Sequence, residues 1–328
     1  MRYFVTGAAG FIGSHFVREL MSGAYGVEPT GVTVYDKLTY AGNLENLASV
    51  SSDPRFTFVQ GDICDGPLLD TVLPGHDVVV NFAAETHVDR SIHGPQDFVV
   101  TNVVGTQTLL DACLRHGIPR TVHIGTDEVY GSIDEGSWDE NQPLQPNSPY
   151  SAAKAAAELL VRAYFVTYGL NVSSTRCSNN YGPYQFPEKV VPLFVTNLID
   201  GGTVPLYGDG MNVRDWLHVD DHCRGIALVV AKGAPGESYN IGGGLELNNR
   251  ELTERVLEAM GADWDSVQPV EDRKGHDRRY SVNDGKLRAL GYAPRHTFED
   301  GLAETVAWYR DNEAWWRPLK AKATVTPR

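Results

Sequence analysis

Residues 7–13, Gly-Ala-Ala-Gly-Phe-Ile-Gly, follow a short apolar run at Tyr3–Thr6 and open a helical pattern. A glycine-rich turn between a strand and a helix is typical of dinucleotide-binding sheets. Gly7 permits the tight turn, Gly10 lets the backbone approach a pyrophosphate, and Gly13 lets helix and strand pack closely. The helix N-terminus adds N–H groups and a positive dipole end for the phosphates. The stretch therefore predicts a dinucleotide-binding fold that begins with the first strand.

The same alternation of strand and helix continues along the first half of the chain. Apolar runs predict strands at Tyr3–Thr6, Val32–Asp36, Phe56–Gln60, Asp77–Asn81, Thr121–Gly125 and Asn171–Arg176, and later at Ser238–Ile241. Helical patterns lie at Phe11–Met21, Pro67–Leu73, Asp97–His116 and Pro149–Tyr168, and later at Asp220–Lys232 and Phe298–Asn312. This alternation predicts an α/β fold with a doubly wound parallel Rossmann sheet, whose ligands bind beyond the carboxyl ends of the strands.

Two interleaved domains are expected. Residues 1–177 should form the NAD-binding Rossmann domain, because the alternation ends there and prolines and glycines then predict short irregular elements. Residues 178–328 should form a smaller substrate-binding domain. The later helix and strand predict that residues 215–241 return to the main sheet, and the polar tail, Lys320–Arg328, is expected to fray.

The composition limits the possible functions. The 328 residues include 42 acidic and 28 basic side chains, a net charge of −14, which argues against general affinity for nucleic acids or membrane surfaces. No apolar run approaches the roughly 20 residues of a membrane span, and no signal-peptide pattern precedes the first strand. The four cysteines form no CxxC pair and indicate a reducing compartment. We expect a cytoplasmic protein that holds any phosphorylated ligand in a local basic pocket.

Residues after the next strands complete the predicted cofactor site. Asp36 ends the second strand, where a carboxylate can accept both ribose hydroxyls and repel a 2′-phosphate, so NAD is favoured over NADP. Asp62 and Ile63, after the third strand, are placed to contact the edge of the adenine ring. The small residues of Phe82-Ala83-Ala84, after the fourth, would let the cofactor lie close. For these two segments, a helix N-cap and ordinary packing are the alternatives.

A predicted reactive centre lies at the start of the helix at Pro149–Tyr168. Ser148 is placed to cap this helix. Tyr150 and Lys154 are four residues apart and share a face. A nearby ammonium, helped by the positive nicotinamide ring, lowers the pKa of a phenol so that it can act as a base. The alternative is a surface Tyr and Lys on an amphipathic helix. Together with the glycine motif, the pair predicts oxidation of a hydroxyl by a nicotinamide.

Thr126-Asp127-Glu128 follow the fifth strand, at the sheet edge where substrates bind. Thr126 can hydrogen-bond the hydroxyl that is oxidised. Simple alcohol oxidation needs neither carboxylate, so an acid and a base beside the redox centre suggest elimination of water from the oxidised intermediate. The alternative is a pair of acidic residues that cap a turn.

Together these residues resemble the extended short-chain dehydrogenase/reductases, and specifically the dTDP-glucose 4,6-dehydratases. The likeness covers nearly the whole chain and is carried by GAAGFIGSHF (7–16), AAETHVDRSI (83–92), GTDEVYG (125–131), SPYSAAKA (148–155), RCSNNYGPYQFPEK (176–189), GDGMNVRDWLHVDDHCRG (208–225) and DRKGHDRRY (272–280). The departures are small: Thr86 replaces the usual Ser, Ala8 replaces a common Gly, and Val190 replaces a larger aliphatic residue.

The resemblance implies site residues position by position. Contacts with NAD are implied for Phe11, Ile12, Asp36, Lys37, Leu38, Thr39, Asp62, Ile63, Thr101, Tyr150, Lys154 and Asn180. Contacts with the nucleotide sugar are implied for Thr86, Thr126, Asn179, Lys189, Val190, Pro205, Leu206, Tyr207, Arg214, Asn249, Arg273, His276 and Tyr280. The expected basic pocket would comprise Lys189, Arg214, Arg273 and Lys274. A homodimer through paired long helices is also implied, here at residues 97–116 and 149–168.

The resulting hypothesis is a redox-neutral conversion of dTDP-glucose to dTDP-4-keto-6-deoxyglucose. Tyr150 removes the proton of the 4-hydroxyl while the C4 hydride passes to NAD. Glu128 then takes the C5 proton, Asp127 protonates the departing 6-hydroxyl, and the hydride returns to C6. The product would feed deoxysugar biosynthesis.

Two other functions and a metal site are the alternatives to this hypothesis. A nucleotide-sugar 4-epimerase shares the glycine motif and Tyr-x-x-x-Lys but has no use for an acid–base pair. An NAD-binding regulator without catalysis would not need the intact catalytic set. No metal is expected, although His276 and Asp220-Asp221-His222 superficially resemble ligands, because Asp220 is better placed as a helix N-cap.

Overall fold

A computed structural model describes residues 1–272 and 275–324. Its strands are β1 (Arg2–Thr6), β2 (Gly31–Asp36), β3 (Phe56–Gln60), β4 (Val78–Asn81), β5 (Arg120–Thr126), β6 (Val172–Cys177), β7 (Asn179–Tyr181), β8 (Val204–Tyr207), β9 (Val213–His218), β10 (Ser238–Ile241), β11 (Glu246–Asn248) and β12 (Val267–Val270). Its helices are α1 (Phe11–Met21), α2 (Gly66–Val72), α3 (Val88–His93), α4 (Pro95–Phe98), α5 (Thr106–Arg115), α6 (Pro149–Tyr168), α7 (Val190–Ile199), α8 (Val219–Lys232), α9 (Asn249–Met260), α10 (Gly285–Ala289), α11 (Phe298–Asp311) and α12 (Glu313–Thr324).

A parallel sheet of seven strands, in the order β10-β6-β5-β4-β1-β2-β3, forms the centre of the described structure. The chain builds outward from β1 through β2 to β3, and then starts again on the other side of β1 with β4, β5 and β6. In the register, Val5 of β1 pairs with Val34 of β2 and Val80 of β4. This reversal of direction opens a crevice at the carboxyl ends of β1 and β4. The sheet confirms the predicted fold class.

Helices cover both faces of the sheet because its strands are apolar on both sides. Successive residues of a strand point to opposite faces, so Phe4 and Val5 of β1 enter different cores. Val5 packs with residues of α1 and α8, including Phe16 and Ile226. Phe4 packs with residues of α2, α5 and α6, including Leu109. The result is three layers with the sheet in the middle.

A third apolar core forms from the later part of the chain. It joins α7, α9 and α11 with β9, and its largest buried side chain is Trp316 of α12. The small sheets β11-β9-β7 and β12-β8 belong to this region. In contrast, β10 pairs in parallel with β6 at the edge of the main sheet, and α8 packs in the same core as α1. The division into domains at residue 177 stays a prediction.

The boundaries of most predicted elements agree with the structure, and α1, α6, β3 and β10 match at both ends. The predicted helix at residues 97–116 is interrupted, because residues 99–105 adopt a wider π-type turn before α5. His218, and not Asp220, caps α8, since its ring accepts a hydrogen bond from the Asp220 N–H. The start of the tail that was expected to fray lies in α12, which continues to Thr324.

Within the described ranges, 1–272 and 275–324, every helix is too short or too polar to cross a bilayer.

Candidate active site

A cavity of about 320 Å³ opens at the carboxyl ends of the main-sheet strands. Its wall contains all five predicted catalytic residues, Thr126, Asp127, Glu128, Tyr150 and Lys154. It also contains most of the predicted cofactor residues, namely Gly7, Gly10, Phe11, Ile12, Gly13, Asp36, Lys37, Thr39, Asp62, Ile63, Phe82, Ala83, Ala84, Thr101 and Asn180. The fold thus brings residues from distant parts of the sequence to one place, at the crevice where the strand order reverses.

The glycine turn has no room for side chains at two of its glycines. Gly7 has a φ of 64°, and a Cβ there would lie 2.5 Å from the backbone N of Ala83. A Cβ on Gly13 would lie 2.7 Å from the Gly7 carbonyl oxygen. Gly10 caps α1 and has no side chain to accept from the first-turn N–H groups. Those groups therefore remain available to phosphate oxygens at the cavity wall.

Asp36 ends β2 as a buried carboxylate that organises the neighbouring loop. Its Oδ2 accepts from the Ala9 N–H at 2.9 Å, and its Oδ1 accepts from the Leu38 N–H at 2.8 Å. Leu38 has a φ of 57°. Its neighbours Lys37 and Thr39 line the cavity, whereas Leu38 itself does not. Leu38 thus contributes to the loop through its backbone.

The third and fourth strand ends close the cofactor side of the cavity. Lys37 and Asp62 form an ion pair with 2.7 Å between Nζ and Oδ2. Across the crevice, the buried Asn102 side chain binds both the N–H and the carbonyl of Glu85, at 2.8 and 3.0 Å. This holds the segment after β4 against the π-type turn, which carries Thr101. Such wide turns are common at functional sites.

Tyr150 and Lys154 occupy the first turns of α6, whose start is fixed by a capping box between Ser148 and Ser151. Both side chains are buried, with 7% and 5% exposure. The Lys154 ammonium donates to the Ile124 carbonyl at 2.5 Å, and burial lowers the pKa of this ammonium to about 8. The lysine is therefore held against the end of β5.

The pKa of Tyr150 in this structure lies above its ordinary value, whereas the sequence predicts that Lys154, helped by a bound nicotinamide, lowers it. Burial raises the pKa of the phenol well above its usual range, and the Glu128 carboxylate raises it further. A hydrogen bond with Thr126 acts in the opposite direction. Tyr150 is consequently a neutral phenol in this environment, and it needs an additional positive charge nearby to act as a base.

Thr126, Asp127 and Glu128 follow β5 in a short 3-10 turn, in which the Thr126 hydroxyl accepts from the Glu128 N–H at 3.3 Å. Asp127 is only 2% exposed. Within the described structure its Oδ2 has no hydrogen-bond partner. Burial raises the pKa of Asp127 well above its usual range, and the carboxylates of Glu128 and Asp215 raise it further. Asp127 is thus suited to hold a proton at neutral pH.

Four predicted substrate residues, Thr86, Thr126, Asn179 and Lys189, line the cavity. The Lys189 ammonium donates to the Thr86 carbonyl at 3.2 Å. Other predicted substrate residues lie outside its wall on neighbouring elements, namely Val190, Pro205, Leu206, Tyr207, Arg214, Asn249, His276 and Tyr280. Arg273 and Lys274 lie outside the described residues.

Arg214 and Tyr280 nevertheless form one unit close to the carboxylate pair. The guanidinium lies 4.2 Å from the centre of the Tyr280 ring and donates to the Asp277 carbonyl at 2.9 Å. Its charge lowers the pKa of Asp127, opposing the larger effect of burial. The positive field of Arg214 therefore reaches the catalytic end of the cavity.

Several lining residues were not predicted from the sequence. They are Tyr35, Tyr40–Asn43, Asn46, Gly61, Glu85, Ile124, Gly125, Cys177, Ser178, Tyr184–Phe186, Glu188, Trp315 and Leu319. The segment Tyr184–Phe186 lies inside one of the recognised motifs, which could have indicated it. Trp315 and Leu319 carry no such signal, because they belong to a C-terminal helix that no motif marks.

Within the part of the chain that the structure describes, two groups of carboxylate and imidazole side chains lie close together away from the cavity: His218, His296 and Glu304, and Asp220, Asp221 and His296. Several of these side chains already bind protein partners, whereas His218 Nε2 is buried without a hydrogen-bond partner among the described residues. Asp220 pairs with Arg224 at 2.7 Å, and Asp221 pairs with His296 at 3.1 Å. The His218 ring accepts from the Asp220 N–H through Nδ1, so in a neutral ring Nε2 carries the hydrogen. The absence of a metal stays a prediction.

This fold and this set of side chains define an extended short-chain dehydrogenase/reductase, with its tyrosine, lysine and threonine beside a dinucleotide-type crevice. The GDP-mannose 4,6-dehydratase family matches residues 4–305. The chain belongs to this family.

Comparisons with individual proteins show which members of the family the chain resembles. The chain is 62% identical to a dTDP-glucose 4,6-dehydratase of Streptomyces antibioticus, over 98% of this chain and 96% of that protein. A crystal structure of the dTDP-glucose 4,6-dehydratase of Streptomyces venezuelae with NAD bound is 64% identical, with a TM-score of 0.96, over 97% of this chain and all of that one. These comparisons confirm the resemblance inferred from the motifs.

A more distant neighbour represents the alternative function. The UDP-glucose 4-epimerase of Thermotoga maritima is 32% identical, with a TM-score of 0.87, over 95% of this chain and all of that chain. Its fold is shared, but its sequence identity to this chain is about half that of the two Streptomyces dehydratases.

Proposed function

We propose that this chain is an enzyme that converts dTDP-glucose to dTDP-4-keto-6-deoxyglucose. The observation that carries the proposal is the pairing of the buried Asp127 with the more exposed Glu128, beside Thr126 and Tyr150 in one cavity. The high identity to several dTDP-glucose 4,6-dehydratases supports the same substrate. The product would supply deoxysugar biosynthesis.

NAD fits the cofactor side of the cavity. The uncapped start of α1 offers N–H groups to a pyrophosphate, and the Asp36 carboxylate would accept ribose hydroxyls and repel a 2′-phosphate. The presence of NAD in solved structures of the Streptomyces venezuelae and Bacillus anthracis dehydratases supports this assignment. When bound, NAD accepts a hydride from C4 of the sugar and later returns it to C6, and its nicotinamide ring carries a positive charge.

The first proton transfer is assigned to Tyr150. Its phenol oxygen takes the proton of the sugar 4-hydroxyl, and the Thr126 hydroxyl orients that group by a hydrogen bond. Lys154 contributes a positive charge at the end of β5, next to the phenol. Burial, and after it the Glu128 carboxylate, raises the pKa of the phenol and keeps it protonated until positive charge lies near it, so oxidation is coupled to an occupied cofactor site.

The elimination is assigned to the carboxylate pair. A carbonyl at C4 acidifies the C5–H bond, and Glu128 takes that proton. Asp127, which holds its proton because it is buried, donates it to the 6-hydroxyl so that water leaves and a C5–C6 double bond forms. Glu128 returns a proton to C5 when C6 is reduced. Because Glu128 is partly exposed, this proton can exchange with solvent.

The nucleotide of the substrate is assigned to the residues on the far side of the carboxylate pair. Arg214 and Lys189 supply positive charge for a diphosphate, since guanidinium groups bind such oxygens through two N–H groups. Thr86 and Asn179 are placed at the cavity for the sugar. The remaining contacts are assigned to Val190, Pro205, Leu206, Tyr207, Asn249, Arg273, His276 and Tyr280.

Product analysis tests the proposal. The purified protein is incubated with NAD and, separately, with dTDP-, UDP-, GDP- and CDP-glucose, and each product is analysed by mass spectrometry. We expect loss of one water, fastest with dTDP-glucose. A product of unchanged mass with an inverted C4 would instead identify an epimerase, and unchanged substrates would contradict an enzymatic function.

A cytoplasmic homodimer is proposed as the working form. The π-type turn and α6 pack together and expose an apolar surface made of Val99, Val100, Val104, Leu159 and Val166. Exposed apolar patches of this kind are typical of protein–protein contacts. The cytoplasm fits the four cysteines, which are all free thiols.

A further inference from the structure

The C-terminal helix α12 forms part of the cavity wall. Trp315 and Leu319 are four residues apart, share one face of this helix and line the same cavity as the glycine turn. On its other side the helix is anchored in the third core, where Trp316 is fully buried and its indole N–H donates to the Tyr309 carbonyl at 2.7 Å. A helix from the far end of the sequence therefore reaches the cofactor side of the site.

A short hydrogen-bond chain connects α12 to the glycine turn. The Trp315 indole N–H donates to Asn46 Oδ1 at 2.9 Å. The Asn46 amide in turn donates to the Ala9 carbonyl at 2.9 Å, and Arg18 donates to the Asn46 carbonyl at 2.6 Å. Asn46 is 2% exposed, so this link is shielded from water. The position of Trp315 is thus tied to the turn expected to hold the pyrophosphate.

Two aromatic side chains pack against Trp315. Its ring centre lies 5.0 Å from that of Trp308 and 5.6 Å from that of Tyr184. The Arg18 guanidinium lies over the Tyr184 ring, 4.3 Å from its centre. Tyr184 also lines the cavity. The cluster holds the indole in one orientation at the cavity edge.

Two ion pairs fix the helix from the solvent side. Arg317 and Lys320 both bind the Asp200 carboxylate, at 2.8 and 2.7 Å. These exposed pairs contribute little energy singly, but together they orient α12 so that Trp315 and Leu319 face inward. The helix is therefore docked on the later part of the chain while its inner face touches the cofactor side.

We propose that α12 is a clasp that retains NAD in the cavity between turnovers, with Trp315 as its positioning residue and Leu319 as a cover. The inference rests on the proposed function. In a redox-neutral reaction the cofactor ends each cycle in its starting form, so release brings no benefit. Closing the cavity edge with a docked helix slows dissociation without hindering catalysis.

Retention of NAD by Trp315 variants tests the clasp. In Trp315→Phe the ring remains and the hydrogen bond to Asn46 is lost, so we expect NAD to dissociate about 2- to 10-fold faster, the usual effect of one hydrogen bond. Trp315→Ala and Leu319→Ala should release NAD faster still. The readouts are the NAD content of the purified protein and the rate at which bound NAD exchanges with labelled NAD.

The control is Trp264→Phe, the same change at an exposed tryptophan on a distant 3-10 turn, which should exchange NAD at the wild-type rate. If Trp315→Ala fails to fold, the rates of NAD exchange in Trp315→Phe and Leu319→Ala test the proposal. Wild-type exchange in folded Trp315→Phe and Leu319→Ala would overturn the clasp. Exchange is measured without sugar substrate, so a wild-type protein that retains NAD yet removes no water from any nucleotide sugar would instead count against the proposed function.

Discussion

Asp127 and Glu128 are consecutive in the chain, yet they lie in opposite environments of the same cavity: Asp127 is 2% exposed, whereas Glu128 is partly open to solvent. The 3-10 turn after β5 produces this difference by directing neighbouring side chains to different depths. Each carboxylate also disfavours a charge on the other, so one proton is naturally held by the buried member. Two identical chemical groups are thus suited to the opposite roles, general acid and general base, that the proposed elimination needs.

Asp127→Asn should abolish water loss while stabilising the protein. Removal of the acid should lower the rate of dehydration by about 10²- to 10⁴-fold. Folding raises the pKa of Asp127, so the free-energy penalty of its burial is absent below the ordinary aspartate pKa of about 3.9 and grows as the pH rises above that value. The variant should therefore have a higher Tm than the wild type at neutral pH.

Thermal unfolding between acid and neutral pH, together with product analysis, checks this prediction. The difference in Tm between Asp127→Asn and the wild type should vanish as the pH falls to about 4. Asp134→Asn, the same change at an exposed position in the following loop, is the control and should alter neither activity nor Tm. A less stable Asp127→Asn at neutral pH would show that the carboxyl is not held protonated by burial.

Asp36→Asn should weaken the binding of NAD. The variant loses a charged acceptor for ribose hydroxyls, which corresponds to about 10- to 100-fold in affinity, and its preference for NAD over NADP should shrink. Titrations of both cofactors measure this, with the exposed Asp265→Asn as the control. Unchanged affinity for both NAD and NADP would show that Asp36 does not contact the cofactor.

Glu158→Gln should destabilise the protein strongly, although Glu158 does not line the cavity. Glu158 and Arg176 are both buried, and the Arg176 Nε lies 2.8 Å from Glu158 Oε1 and 3.0 Å from Oε2. Loss of one partner leaves an uncompensated buried charge, which costs roughly 3–5 kcal/mol in the free energy of unfolding. Urea unfolding measures this loss of stability. The control is Glu258→Gln on the exposed face of α9, and equal urea midpoints for the two variants would contradict a stabilising role for the buried Glu158–Arg176 pair.

Leu159→Glu combined with Val166→Glu should yield a monomer. The two side chains are 59% and 63% exposed on one face of α6, and charges there would oppose burial in a dimer contact. Sedimentation velocity measures the mass of the particle. Leu44→Glu, at an exposed apolar position elsewhere, should remain dimeric, and a dimeric double variant would exclude this face as the contact.

The elements that the sequence predicted best are those with local signals at both ends. Helix α6 was predicted to the residue because Ser148 caps its start, Pro149 suits its first turn and Gly169 ends it with a φ of 70°. The Gly7 turn was predictable because its φ of 64° is a local requirement that glycine meets; the close approach of the Ala83 backbone is a second, non-local reason for glycine there.

The features that were missed depend on contacts between distant segments. The π-type turn at residues 99–105 was not signalled by the sequence, and the contact that accompanies it, between Asn102 and Glu85, joins residues 17 positions apart. The role of Trp315 depends on Asn46, 269 positions away. The pKa of Tyr150 could not be derived from its spacing to Lys154, because it is set first by burial and then by the Glu128 carboxylate, which the folded chain brings close to it.

The most direct test of the account is the origin of the hydrogen at C5 of the product. The reaction is run in deuterium oxide with dTDP-glucose, and the 4-keto-6-deoxy product is examined by NMR and mass spectrometry. We expect one solvent deuterium at C5 in the wild type, and turnover about 10²-fold or more lower in Glu128→Gln. A product without deuterium at C5, or undiminished turnover in Glu128→Gln, would contradict elimination by this carboxylate pair.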